Sequence, residues 1–121
     1  MANKWIYWSE ELGSQHNEIV GKKCANLGEM TRLGMRVPPG FAICVDGYEQ
    51  FMEQSGAGEE IRRYVKENVR GFKEVEKQIE AGRAIRGMIE SKSMPYDMKK
   101  ELDAHYDELC SRVGMDRVRV A

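Results

Sequence analysis

The most informative part of the sequence is VGKKCANLGEM, at residues 20–30, which VPPGF follows at residues 37–41. Gly21 stands just before a run of apolar residues at helical spacing, and Gly34 follows that run as a stop signal. The apolar positions are Leu27, Met30 and Leu33. This pattern predicts a helix of roughly three turns that a glycine opens, with Lys23 in its first turn.

The segment after this helix is extended, because Pro38 and Pro39 each lack a backbone donor and restrict the residue before them. It leads into a predicted strand over residues 41–45. Two further stretches have strand character, namely the aromatic run at residues 6–8 and the alternating polar and apolar run at residues 118–121. The sequence therefore predicts a small sheet of three strands.

The rest of the chain has helical periodicity. Asp46 and Glu49 have the spacing of a capping box, which predicts a second helix that ends near Gly56. Three more helical runs follow, and Gly71 and Pro95 separate them. The predicted fold class is α/β (α+β), with about five helices covering the small sheet.

Composition excludes several classes of function. Nineteen Lys and Arg residues against twenty Asp and Glu residues give a formal charge of -1, so no strong basic field favours nucleic acid. Three widely spaced cysteines and two histidines do not form a zinc or disulfide pattern, so no metal site is expected. The start of the chain is neither a signal peptide nor a membrane span, and the expected compartment is the cytoplasm.

A glycine immediately before a helix lets backbone amides approach an anion, and the helix dipole favours negative charge there. Lys23 adds a full positive charge that can follow a phosphoryl group. The residues alone also fit a solvated helix start, because the stretch lacks the spacing of a Walker A loop. They leave open whether an anion binds.

Residues 20–30 and 37–41 together resemble the opening of phosphoenolpyruvate synthase and pyruvate phosphate dikinase, where a Val-Gly-Gly-Lys segment precedes Val-Pro-x-Gly-Phe. The resemblance implies that residues 1–121 are the N-terminal portion of an ATP-grasp-like nucleotide-binding domain. It implies ATP and Mg²⁺ as ligands, with the Mg²⁺ ligands outside this chain. Lys23 takes the position of the catalytic lysine, and Gly21, Lys22 and Lys23 take the positions that bind the ATP phosphates.

Two departures from the family pattern stand out. Lys22 replaces the second glycine of the family motif, and its side chain either hinders the approach of a phosphate or adds a second cation. The family continues after residues 118–121 into an Arg-Ser-Ser-Ala motif that this chain lacks, so the chain is expected to be truncated within its domain.

The resemblance implies that the β-phosphoryl group of ATP passes through a histidine on another domain or subunit to pyruvate, giving phosphoenolpyruvate. A second ATP-grasp lobe is the other expected partner, with neither nucleic acid nor a membrane involved. One alternative is a subunit like that of phenylphosphate synthase, which phosphorylates an aromatic alcohol. The other alternative is a helical binding module that has lost the nucleotide site, because Lys22 and the missing motif weaken the match.

The remaining reactive side chains have structural interpretations. His16 and His105 are expected at the surface, so neither is the relay histidine. Cys24 is expected to be a buried or half-buried small residue, because no general base is near it in sequence. The aromatic residues of the first strand are expected to pack against a core or lie on the sheet face.

Overall fold

A computed structural model describes residues 4–68 and 74–120 of the chain. The chain forms two compact units, one made of Met1–Tyr48 with Asp97–Ala121 and the other of Glu49–Tyr96. The described residues contain two strands and five α-helices. They are β1 (Ile6–Trp8), α1 (Asn17–Arg32), β2 (Phe41–Ile43), α2 (Val45–Gln54), α3 (Ala57–Asn68), α4 (Val75–Glu90) and α5 (Tyr96–Val113).

The two strands of the first unit form a short antiparallel sheet in which Ile6 faces Ile43 and Trp8 faces Phe41. The predicted sheet was too large. Residues 118–120 are extended but form no strand, and Ala121 lies outside the described residues. The reason is that the main-chain groups of Val118 bond to the hydroxyl of Tyr106 instead of to a strand. The helix-rich α+β class is confirmed.

The end of α1 follows the sequence prediction. Gly34 has a φ of 81°, and its N–H donates to the carbonyl of Thr31 at 3.1 Å. The N–H of Met35 donates to the carbonyl of Met30 at 3.0 Å. These two bonds satisfy carbonyls that the last turn of a helix leaves without partners, and the left-handed backbone suits glycine.

The middle of α1 packs closely on the segment that precedes it. A Cβ atom built on Gly28 would lie 2.5 Å from the carbonyl carbon of Leu12 and closer still to its oxygen. Gly28 is buried, and Leu12 is only 1% exposed. The absence of a side chain at Gly28 therefore allows the helix to approach this backbone.

The strand β2 is shorter than predicted, because the chain turns into α2 at Cys44. The carbonyl of Cys44 accepts hydrogen bonds from the N–H groups of Gly47 and Tyr48 at 3.0 and 3.4 Å. The helix thus begins at Val45, inside the stretch predicted as strand. The prediction that Asp46 caps this helix is wrong, because Asp46 already lies within the first turn.

Helix α5 packs its inner face against β1 in the same unit. Trp5 is 2% exposed, and its indole N–H donates to a carboxylate oxygen of Glu101 at 2.7 Å. The ring of Trp8 stacks on His105 with centroids 5.7 Å apart, and Phe41 meets both rings edge-on. The first-strand aromatics therefore pack as expected, but His105 is half-buried and not a surface residue.

The second unit contains α3 and α4, which pack against each other. Gly56, with a φ of 82°, separates α2 from α3 as predicted. Lys92, which follows α4, forms an ion pair with Glu60 of α3. The predicted break at Gly71 lies outside the described residues. None of the five helices in residues 4–68 and 74–120 combines the length and the apolar composition that a membrane span requires.

Candidate anion-binding helix start

The helix α1 contains one residue with non-helical geometry, Gly21, whose φ is 83° and ψ is 162°. This region of backbone space is essentially restricted to glycine. Four residues in helical conformation, beginning at Asn17, precede it, and the long part of the helix resumes at Lys22. The sequence predicted the glycine opening, but not the additional turn before it.

A helix that resumes after Gly21 has a new N-terminus inside a continuous segment of chain. The first amides of a helix point outward along its axis, and the helix dipole places partial positive charge there. These are the features that favour phosphate at a helix start. Lys22 and Lys23 occupy the first turn of the helix that resumes after Gly21.

The space beside Gly21 is open. A Cβ atom built on this residue would meet no heavy atom within 4 Å. The glycine is therefore required by its backbone angles and not by close packing, in contrast to Gly28. The open space leaves this side of the Gly21 backbone accessible.

Both lysines extend into solvent. Gly21, Lys22 and Lys23 are all exposed. Across residues 4–68 and 74–120, no carboxylate lies within ion-pair distance of either lysine. Two ammonium groups without a carboxylate partner next to a helix N-terminus produce a locally positive surface that attracts anions.

Other residues in the same part of α1 are buried or are hydrogen-bonded to the loop before the helix. Ala25 is fully buried, and Cys24 is half-buried with a free thiol, as predicted. The carboxylate of Glu29 accepts a hydrogen bond from the N–H of Ser14 at 2.7 Å, which ties α1 to the loop before it. Sequence reasoning missed this role of Glu29, because no local pattern links residues fifteen positions apart.

The remaining candidates lie outside the turn formed by Gly21, Lys22 and Lys23. His16 is half-buried, not at the surface as expected, and its Nδ1 accepts a hydrogen bond from the N–H of Gly13 at 3.0 Å. Lys99 pairs with Asp103 on an exposed face of α5. No group of three His, Cys, Asp or Glu side chains in the described residues is placed to hold a metal ion.

The fold and this helix start define a class of protein, a helix-rich α+β domain with an exposed, basic helix N-terminus. The model of the pyruvate phosphate dikinase AMP/ATP-binding domain family matches residues 17–121. The chain belongs to this family.

Relatives with similar sequences are phosphoenolpyruvate synthases. The chain is 34% identical to the probable phosphoenolpyruvate synthase of Methanocaldococcus jannaschii over 98% of its own length and 10% of that protein. It is 33% identical to phosphoenolpyruvate synthase of Pyrococcus furiosus and 30% identical to that of Neisseria meningitidis, over its whole length in both cases. It spans 18% and 16% of these two proteins. The relatives are therefore several times longer than this chain.

Proposed function

We propose that residues 1–121 are the N-terminal portion of an ATP-grasp-like domain that binds ATP for a phosphoenolpyruvate synthase. The supporting observation is the break at Gly21, which starts a helix at two exposed lysines inside the segment matched by the ATP-binding family. Neither lysine has a carboxylate partner among residues 4–68 and 74–120. Family membership favours ATP as the anion. The names of the relatives favour pyruvate as the final phosphoryl acceptor.

In this proposal, Lys23 is the catalytic residue of the chain. Its ammonium group contacts the triphosphate and offsets the charge that develops as the β-phosphoryl group leaves. The backbone N–H groups that follow Gly21 point along the helix axis and donate hydrogen bonds to the same phosphates. Because the buried face of α1 fixes this turn, the backbone amides that follow Gly21 are positioned before ATP binds.

Lys22 has a supporting role in the proposed site. Its side chain is exposed and without a carboxylate partner among the described residues, so it can reach a phosphate without first breaking an ion pair. We assign it as a second cation for the triphosphate. A side chain at this position does not require the left-handed backbone, because the break lies one residue earlier at Gly21.

Other parts of the reaction are assigned to residues outside this chain. Mg²⁺, when bound, would neutralise negative charge on the phosphate groups. We expect its protein ligands on residues outside this chain. The second lobe of the site and the relay histidine are likewise expected on other domains or subunits. His16 and His105 both engage neighbouring groups of the fold.

The test is a Lys23→Ala substitution in the full-length protein that contains this chain. We expect the variant to lose phosphorylation of the relay histidine from Mg-ATP, measured with ATP labelled in the β-phosphate. Lys100→Ala serves as the matched control, because Lys100 is an exposed lysine on α5. The control should retain full phosphorylation.

Three outcomes separate the possible functions. Unchanged phosphoryl transfer in the Lys23→Ala variant would remove Lys23 from the mechanism. Absence of Mg-ATP binding by the unaltered full-length protein, measured by calorimetry, would favour a binding module that has lost its nucleotide site. Transfer to an aromatic alcohol and not to pyruvate would favour the phenylphosphate synthase alternative.

A further inference from the structure

The chain reverses direction after α5. Gly114 has a φ of 76°, and its N–H donates to the carbonyl of Cys110 at 2.9 Å. The N–H of Met115 donates to the same carbonyl at 3.1 Å. Residues 115–120, which we call the return segment, therefore turn back toward the middle of α5.

One side chain of α5 holds the return segment. The hydroxyl of Tyr106 donates to the carbonyl of Val118 at 2.9 Å and accepts from the N–H of the same residue at 3.0 Å. A single hydroxyl thus occupies both main-chain groups of Val118, as a neighbouring strand would. Tyr106 and Val118 are both half-buried.

We propose that Tyr106 is a positioning residue that fixes the path of the return segment along α5. The Tyr106 hydroxyl donates in one bond and accepts in the other. Together the two bonds fix both the distance and the orientation of the Val118 backbone relative to Tyr106. They hold Arg117 and Arg119, both exposed, on either side of the fixed residue. Without the hydroxyl, the Gly114 turn alone does not determine where residues 117–120 lie.

The two hydrogen bonds between Tyr106 and Val118, which we call the Tyr106 clamp, also affect the surface beside them. An open cleft is lined by Asp107, Cys110 and Ser111 of α5 and by Gly114, Met115 and Asp116. The last two residues belong to the return segment, so its position sets one wall of the cleft. Tyr106 and the return segment are distant in sequence from Lys23. This role of Tyr106 therefore does not depend on the proposed function.

The experiment removes only the hydroxyl, with Tyr106→Phe in the whole chain. Loss of the acceptor should make the Val118 amide exchange its hydrogen about five- to tenfold faster, the effect of losing one typical hydrogen bond. Trypsin should also cut faster after Arg117 and Arg119, because a released segment enters a protease more readily. Both rates are measured by mass spectrometry on the same samples.

Tyr96→Phe is the matched control, because Tyr96 begins the same helix and is 77% exposed. In the Tyr96→Phe variant, the rate of amide exchange at Val118 and the rate of trypsin cleavage should equal those of the unaltered protein. Circular dichroism of both variants checks that α5 is retained. If Tyr106→Phe leaves either the Val118 exchange or the cleavage after Arg117 unchanged, the clamp is refuted.

Discussion

The indole N–H of Trp5 donates to a carboxylate oxygen of Glu101 at 2.7 Å, joining the start of the chain to its last helix. Trp5 is 2% exposed, so its side chain has little access to water. The buried donor therefore depends on a residue 96 positions away in sequence. This bond, the stacking of Trp8 on His105 and the Arg112 guanidinium 3.7 Å from the centre of the Trp8 ring attach α5 to β1.

Replacing Glu101 tests that attachment. Glu101→Leu leaves the indole N–H without an acceptor and should lower the free energy of unfolding by about 1–3 kcal/mol. Glu101→Gln keeps an acceptor oxygen and should cost less. Urea unfolding followed by tryptophan fluorescence measures both variants. Asp103→Asn, on the exposed face of α5, is the control and should have little effect. Equal stability of the Leu and Gln variants would contradict the importance of the bond.

A methyl group at Gly28 should be strongly destabilising. It would collide with the backbone of Leu12, which cannot move as a flexible side chain does, and the expected cost is about 3 kcal/mol. Gly87→Ala is the matched control, because this helical glycine has no neighbour within 4 Å of the added carbon. The control should raise stability by roughly 0.5–1 kcal/mol. Thermal unfolding of the two variants should therefore shift in opposite directions.

Gly21→Ala should be destabilising for a different reason. No atom crowds the added methyl group, so the cost comes from the backbone angles alone and should be about 1–3 kcal/mol. Chemical denaturation provides the measurement. If Gly21→Ala is as stable as the unaltered protein, the break in α1 is not a required feature of the fold, and the positioning of the lysines needs another explanation.

Lys22→Gly restores the residue that the family motif has at this position. If Lys22 is a second cation, Mg-ATP affinity of the full-length protein should fall about two- to fivefold, the effect of an exposed ion pair worth up to ~1 kcal/mol. The loss should shrink as salt concentration rises. Isothermal titration calorimetry at two salt concentrations measures both effects. Tighter binding by the glycine variant would show that Lys22 hinders the phosphates.

Acid should weaken the contact between Glu10 and Arg112. Partial burial raises the pKa of Glu10, but the hydrogen bonds and the charge of Arg112 outweigh it and hold the pKa below its ordinary value. A carboxylate with a depressed pKa stabilises the fold above its unfolded pKa, near 4.3, and loses that effect as pH falls. Glu10→Gln should therefore lose less stability than the unaltered protein between about pH 5 and pH 3. Parallel pH profiles would contradict this contribution.

Features that depend on residues close together in the chain can be predicted without coordinates. Gly34 and Gly56 stop helices because a left-handed backbone is costly for other residues, and that cost is local. The glycine opening before Lys23 and the helical periodicity are local in the same sense. The motif in residues 20–41 identified the family, because the order and spacing of its residues can be recognised in the sequence alone.

Features that join residues far apart in the chain became known from the three-dimensional fold. Residues 118–120 have the alternation of a strand, yet the hydroxyl of Tyr106 takes the main-chain groups of Val118. His105 was expected at the surface because its neighbours are charged, and the stacking on Trp8 makes it half-buried. In each case the deciding partner lies on another element. Side-chain periodicity indicates which face of a helix or strand is apolar. It does not indicate which residue of another element packs against that face.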